Sequence, residues 1–204
     1  MDTAARSSPL ALTVLALLHH EPLHPYGVQR LIKQWGKDQV VNVGQRASLY
    51  RTIERLHADG LIAVRETGRE QAYPERTVYE LTDAGRRIAR AWLRVMLVEP
   101  KQEFPQFPAA LSHLAMISPA EAAELLERRA DRIGQARRER AAALAAHTDL
   151  PRVFHLEDEH LDAIAAAEER WLRSVVEDLR AGRLTWSAPA PPPADADPAG
   201  PPER

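Results

Sequence analysis

Cysteine is absent from the 204 residues. That excludes disulfides, thiolate metal sites and cysteine nucleophiles together, and it fits a reducing compartment, so a cytoplasmic location is expected. Aromatic residues make up only 5% of the chain, so any core has to be built from Leu, Ala, Val and Ile. No apolar run reaches the ~18 residues that a spanning helix needs, and no membrane partner is expected. The apolar segment Leu10 to Leu18 has only Arg6 before it and His-His-Glu-Pro after it, so it reads as a buried helix rather than a signal peptide. There is no glycine-rich phosphate loop, serine-nucleophile motif or paired-carboxylate arrangement from which to assemble an enzyme site, and no cofactor is expected. The histidines offer no metal site either. His19 and His20 are adjacent and point apart on a helix, and His155 and His160 share a face poorly.

What is present is an ordinary soluble composition, 45% hydrophobic and 27% charged, in a chain long enough for one domain and a smaller unit. Its charge is divided. Residues 1–98 hold 14 Lys/Arg against 10 Asp/Glu, and residues 99–204 hold 13 against 19, so a mildly basic half joins an acidic one. Only the first half is suited to a polyanion.

Helix and strand signals follow in a clear order. Ser8-Pro9 starts a helix that carries Leu10, Val14, Leu17 and Leu18 at helical spacing as far as Pro22. A second helix begins near Pro25. Tyr26, Gln29, Arg30 and Lys33 are placed outward on it, and Val28, Leu31, Ile32 and Trp35 inward. Asn42 and Gln45 have capping-box spacing, predicting a third helix from about Val43 to Ala58 with Leu49, Ile53 and Leu56 buried and Gly60 at its end. Leu61 to Glu66 and Thr77 to Leu81 read as two strands around a polar loop, a hairpin. Thr82-Asp83 starts a fourth helix. Pro100, Pro105 and Pro108 then mark a linker, with a short helix from Ala109 to Met116. Ser118-Pro119 opens a long helix to about Ala146, and a last one spans Glu157 to Ala181.

The fold class is therefore mainly α with a small β-hairpin wing, a winged helix-turn-helix followed by a C-terminal helical dimerisation domain. The expected divisions are residues 8–98 for the winged domain, 99–118 for the linker and short helix, 119–183 for the dimerisation domain, and 187–204 for a disordered Pro/Ala-rich tail.

In such a unit the third helix offers its free face to the major groove. Arg46, Ser48, Arg51 and Arg55 lie largely off its apolar stripe. Gln45, Arg46 and Ser48, near the helix start, are placed for base edges, and Tyr50 and Arg51 for the phosphate backbone. Arg65, Arg69 and Arg76 on the hairpin suit a phosphate or the minor groove. An exposed arginine face is equally what a solvated amphipathic helix shows, and Glu54, Glu66, Glu70 and Glu75 temper the positive charge.

The segments Leu12 to Leu18, Pro25-Tyr26-Gly27, Ser48 to Leu56 with Asp59-Gly60-Leu61, and Val78 to Gly85 resemble, in order and spacing, the PadR family of bacterial transcriptional regulators over about residues 10–98. The loop from Gly68 to Thr77 is somewhat longer than a minimal wing. The resemblance implies a homodimer bound to a near-palindromic double-stranded DNA operator, and a repressor released by a small molecule. It places Tyr26 and Tyr50 near the DNA face, makes the third helix the recognition helix, and gives Gly85 a structural role.

The second half gives a separate reason to expect dimerisation. Leu161, Ile164, Ala165, Leu172, Val175 and Leu179 form a helical stripe, with Leu125, Leu126, Ile133 and Leu144 doing the same on the preceding helix. Two helices alone make a poor core, so a second copy is favoured, with packing inside one chain as the alternative. Glu168 interrupts the stripe and argues against a long regular coiled coil. Trp92, Met96 and Trp171 are candidates to line a site for a small apolar or aromatic effector, with Trp35, Phe104 and Phe107 as further apolar residues. All six suit plain core packing as well. A rival function is a winged-helix adaptor that binds proteins and no DNA.

Overall fold

The computed structural model describes residues 7–42, 46–68, 76–145 and 150–187. The chain divides into two compact units between Gln102 and Glu103.

The first unit is built on α1 (Pro9–His20). The Ser8 side chain accepts from the Ala11 N–H at 3.1 Å, and Pro9 occupies the first turn, where no N–H is needed. Leu10, Ala11, Val14, Leu15, Leu17 and Leu18 are all buried, so α1 is a central post rather than a surface helix. It packs against α3 (Arg46–Ala58), β2 (Arg76–Leu81) and α4 (Asp83–Val98). The helix α2 (Pro25–Gln34) lies against α3. Gln29, placed outward by the sequence pattern, is instead buried beside Val28 and Ile32. Trp35, placed inward, is 47% exposed, because α2 ends at Gln34 and Trp35 leaves the helical path as its C-cap.

The strands β1 (Ile62–Gly68) and β2 form an antiparallel hairpin. Ile62 faces Leu81 and Val64 faces Tyr79. The register then slips, so that Arg65 is the extra residue of a bulge before Glu66 meets Val78. On the other edge of β2, Leu23 and Tyr79 exchange two backbone hydrogen bonds of 3.0 and 2.9 Å, tying the α1–α2 turn to the wing.

Four parts converge on one carbonyl. The helix α3 ends at left-handed Gly60 (φ 68°), and the Leu61 N–H returns to the Leu56 carbonyl at 2.9 Å. The Leu61 carbonyl in turn accepts from the Thr82 N–H at 3.2 Å and lies 3.0 Å from the Thr82 hydroxyl. That hydroxyl also accepts from the Gly85 N–H and so caps α4. A Cβ on Gly85 would stand 2.1 Å from the Leu61 oxygen, which explains the glycine in Leu-Thr-Asp-Ala-Gly.

The second unit is an antiparallel pair, α6 (Pro119–Leu144) and α7 (Leu156–Arg180), with the short α5 (Gln106–Leu111) beside it. The expected short helix from Ala109 to Met116 is replaced by α5 and a 3₁₀ turn at Leu114–Met116. Pro105 caps α5, and Pro108 sits in its first turn, where a missing N–H costs nothing. Small residues on α6, Ala122, Ala123 and Ala130, let Leu172, Val176 and Leu179 of α7 pack closely. Gly134 is also buried; a Cβ there would stand 2.8 Å from a Glu169 oxygen. Beyond α7 the chain turns at Gly182 (φ 70°), and the Trp186 indole donates to the Ile117 carbonyl at 2.8 Å.

Ion pairs cross this hairpin along its length. Arg180 meets Glu127 at 2.6 Å, Arg173 meets Asp131 at 3.2 Å, and Arg129 meets Glu168 at 2.7 Å. Arg137 grips Asp162 at 2.9 Å and Glu169 at 3.0 Å. Hydrogen bonds from these guanidiniums hold the carboxyls of Glu127, Asp162 and Glu169 below their usual range. The charged forms are thus favoured by folding. Their stabilisation is present above the ordinary carboxylate range, near pH 4, and is lost as pH falls through the lower folded values. The second unit should therefore unfold more readily from pH 5 to pH 3, and Glu169→Gln should flatten that dependence. Circular dichroism melts across the series test this; identical pH profiles for the variant and wild type would contradict it.

Candidate nucleic-acid interface

The sequence of α3 sorts its side chains onto two faces. Leu49, Ile53 and Leu56 are buried in the first unit's core. Thr52 is also buried, its hydroxyl donating to the Ser48 carbonyl at 2.9 Å. Tyr50, Arg51 and Glu54 are exposed on the other face, and Ser48 and Arg55 are half-buried at its margins. The Arg51 Nε donates to the Ala47 carbonyl at 3.2 Å, which lays the side chain along the helix. Neither Arg51 nor Arg55 makes an ion pair among the described residues. The arginines that cross the α6–α7 hairpin are neutralised instead.

Tyr26 lies in the first turn of α2 and is 58% exposed, an unusual position for a large aromatic side chain. Arg30 and Lys33 are also exposed on α2. Arg46 begins α3 and Arg76 begins β2, paired across the hairpin with Gly68. Gln45 and Arg69 lie outside the described residues, as do Val43 and the Gln45 half of the proposed capping box. The bulge residue Arg65 is exposed.

Sequence reasoning missed two backbone devices. One is the His24 imidazole, whose Nδ1 accepts from the Gly27 N–H at 3.2 Å and caps α2. The other is the bond pair between Leu23 and Tyr79. His24-Pro25 was legible as a helix start only to a reader who allowed histidine as a cap.

The other candidate residues belong to different units, Trp92 and Met96 to the first and Trp171 to the second. Trp92 is 7% exposed and belongs to the first unit's core. Met96 is 37% exposed near the end of α4, where Leu97 and Val98 are more exposed still. Trp171 is 46% exposed and meets Phe107 edge-on, with ring centroids 6.3 Å apart. Within the second unit, a groove of about 480 Å³ is lined by Phe107, Leu111, Leu114, Met116, Leu125 and Arg129. Trp171 does not line it.

The dimerisation stripe needs correction on the same ground. Leu172 and Leu179 are buried against α6 of their own chain, and Val175 packs there too. The alanines and Gly134 of α6 admit α7 so closely that these side chains are consumed inside the hairpin. Ile164, 53% exposed, and the half-buried Leu161 remain at the surface. Glu168, read as an interruption of the stripe, is the partner of Arg129.

Three helices with the third one's apolar face buried, a two-stranded wing and a fourth helix locked to the turn before the wing define a winged helix-turn-helix. Residues 14–91 match the transcriptional regulator PadR-like family. No curated protein matches the sequence.

Solved structures agree in fold. Bacillus subtilis PadR in complex with operator DNA superposes with a TM-score of 0.72 at 19% identity, over 84% of this chain and 99% of that one. The same protein with p-coumaric acid gives 0.65 at 16% identity, over 86% and 99%. The PadR-like regulator BC1756 from Bacillus cereus gives 0.61 at 16% identity, over 85% and 99%.

The two faces of α3 should respond differently to truncation. Leu49→Ala should destabilise the protein by about 2–5 kcal/mol, as for a buried leucine, and Arg51→Ala by no more than about 0.5 kcal/mol. Urea denaturation measures both; comparable losses would mean that Arg51 is structural.

Proposed function

We propose that the chain is a sequence-specific DNA-binding transcriptional regulator, acting as a homodimeric repressor whose grip on its operator a small apolar or aromatic molecule releases. The observation that carries the reading is the outer face of α3, where Arg51 and Arg55 make no ion pair among the described residues and stand beside exposed Tyr50. A guanidinium that no carboxylate of the fold neutralises can pair with phosphate or a guanine edge. The fold shared with a protein solved on operator DNA supports the same assignment.

Dimerisation finds support in the apolar surface that the second unit leaves uncovered. Leu125, Met116, Ile164 and Trp171 are each at least 45% exposed. A pair of helices with so much apolar surface is suited to a second copy. Effector release rests on the likeness to a protein solved with p-coumaric acid and on the apolar groove beside α5.

The deciding experiment titrates the protein with DNA from upstream of its own gene across a salt series. A regulator binds this DNA, or another operator, selectively, and its affinity falls steeply with salt. A winged-helix adaptor shows neither affinity nor slope. Arg51→Ala should weaken operator binding at least about fivefold and, for a phosphate contact, lower the salt slope by about 1, with the dimer intact. Unchanged affinity at fixed salt would count against α3 as the reading helix. Truncation after Gln102 should leave a monomer in sedimentation; a dimeric fragment would remove the role given to the second unit.

A further inference from the structure

His24 occupies a position usually held by Ser, Thr, Asp or Asn, the cap of a helix. Its Nδ1 receives the Gly27 N–H at 3.2 Å. A backbone N–H can only donate, so this nitrogen must present a lone pair. An imidazolium has none, because both ring nitrogens then carry hydrogen. The same proton would add positive charge at the positive end of the α2 dipole. Cap and proton therefore exclude each other.

The neighbouring residues are fitted to this bond. A Cβ on Gly27 would stand 2.7 Å from His24 Nδ1 and 3.0 Å from its Cε1, so glycine makes room for the ring. Pro25 fills the first helical position and brings no N–H of its own. Tyr26 packs edge-on against the imidazole, with ring centroids 6.0 Å apart. Across the Leu23 backbone bridge stands Tyr79 of β2, and against Tyr79 stands His57 of α3, with ring centroids 5.7 Å apart. The His57 Nδ1 lies 3.1 Å from the Ile62 carbonyl, so it donates and can do so in either charge state.

We propose that His24 is a proton-sensitive cap: neutral, it holds the first turn of α2, and with it Tyr26; protonated, it lets that turn go. The device belongs to the winged unit itself. Its operation does not depend on what the unit binds. The cap's contribution is present while the ring is neutral. It is lost as the ring takes up its proton.

The test is an NMR titration of the full-length protein from pH 8 to pH 5, beside His24→Asn, which retains a cap that does not titrate. In the wild type the Gly27 amide resonance should shift with the midpoint of the His24 ring. In His24→Asn it should stay still. Over the same interval the unfolding equilibrium of wild type should worsen roughly fivefold relative to the variant, the size of a lost cap. A Gly27 amide indifferent to His24 titration would overturn the proposal, as would parallel loss of stability in both proteins. The wild-type titration decides the matter even if the variant folds poorly.

Discussion

The Leu61 carbonyl is the point through which the first unit is held in register. It accepts from the Thr82 backbone, lies against the Thr82 hydroxyl, and tolerates no side chain at position 85. Through it the end of α3, the start of β1 and the start of α4 meet. The angle at which α3 leaves the core is thereby set by hydrogen bonds and a steric limit rather than by apolar packing alone. Packing tolerates small adjustments; a backbone oxygen 2.1 Å from a would-be Cβ does not. A helix that has to enter a groove at one angle benefits from being fixed in this way.

The two units treat arginine in opposite ways. On α6 and α7, guanidiniums are matched to carboxylates at 2.6 to 3.2 Å, and the pairs run the length of the hairpin. Each exposed pair contributes little alone, but a connected set fixes which residue of one helix meets which of the other. On α3, Arg51 and Arg55 make no such pairs among the described residues. Part of the mild basicity of the first half, barely visible in net charge, therefore lies in α3 side chains that no carboxylate neutralises.

Much of this was legible in the sequence because periodicity reports burial directly. The α1 leucines, the Leu49-Ile53-Leu56 stripe, the Thr82 cap and the long Ala-rich helices all follow from spacing and cap chemistry. What was not legible depends on partners distant in the chain. Leu172 and Leu179 carry the same pattern whether their cover is α6 or a second molecule, and only the small residues of α6 decide it. Gln29 was placed outward for its polarity, yet it shares a face with Val28 and Ile32. The bridge from Leu23 to Tyr79 has no compositional signature, because it rests on backbone atoms that every residue possesses, and histidine falls outside the usual set of cap residues.

That bridge imposes a rule on the length of the chain. Tyr79 gives its N–H and its carbonyl to Leu23 on one edge of β2, while Val64 faces it on the other. Leu23 must therefore arrive in register with a strand more than fifty residues away. One residue inserted between His20 and Leu23 would bring a neighbour's backbone to Tyr79 and turn the following side chains to the opposite side. Among homologues, the turn between the first two helices should then keep its length even where its residues change freely, and gaps should gather in the hairpin tip instead.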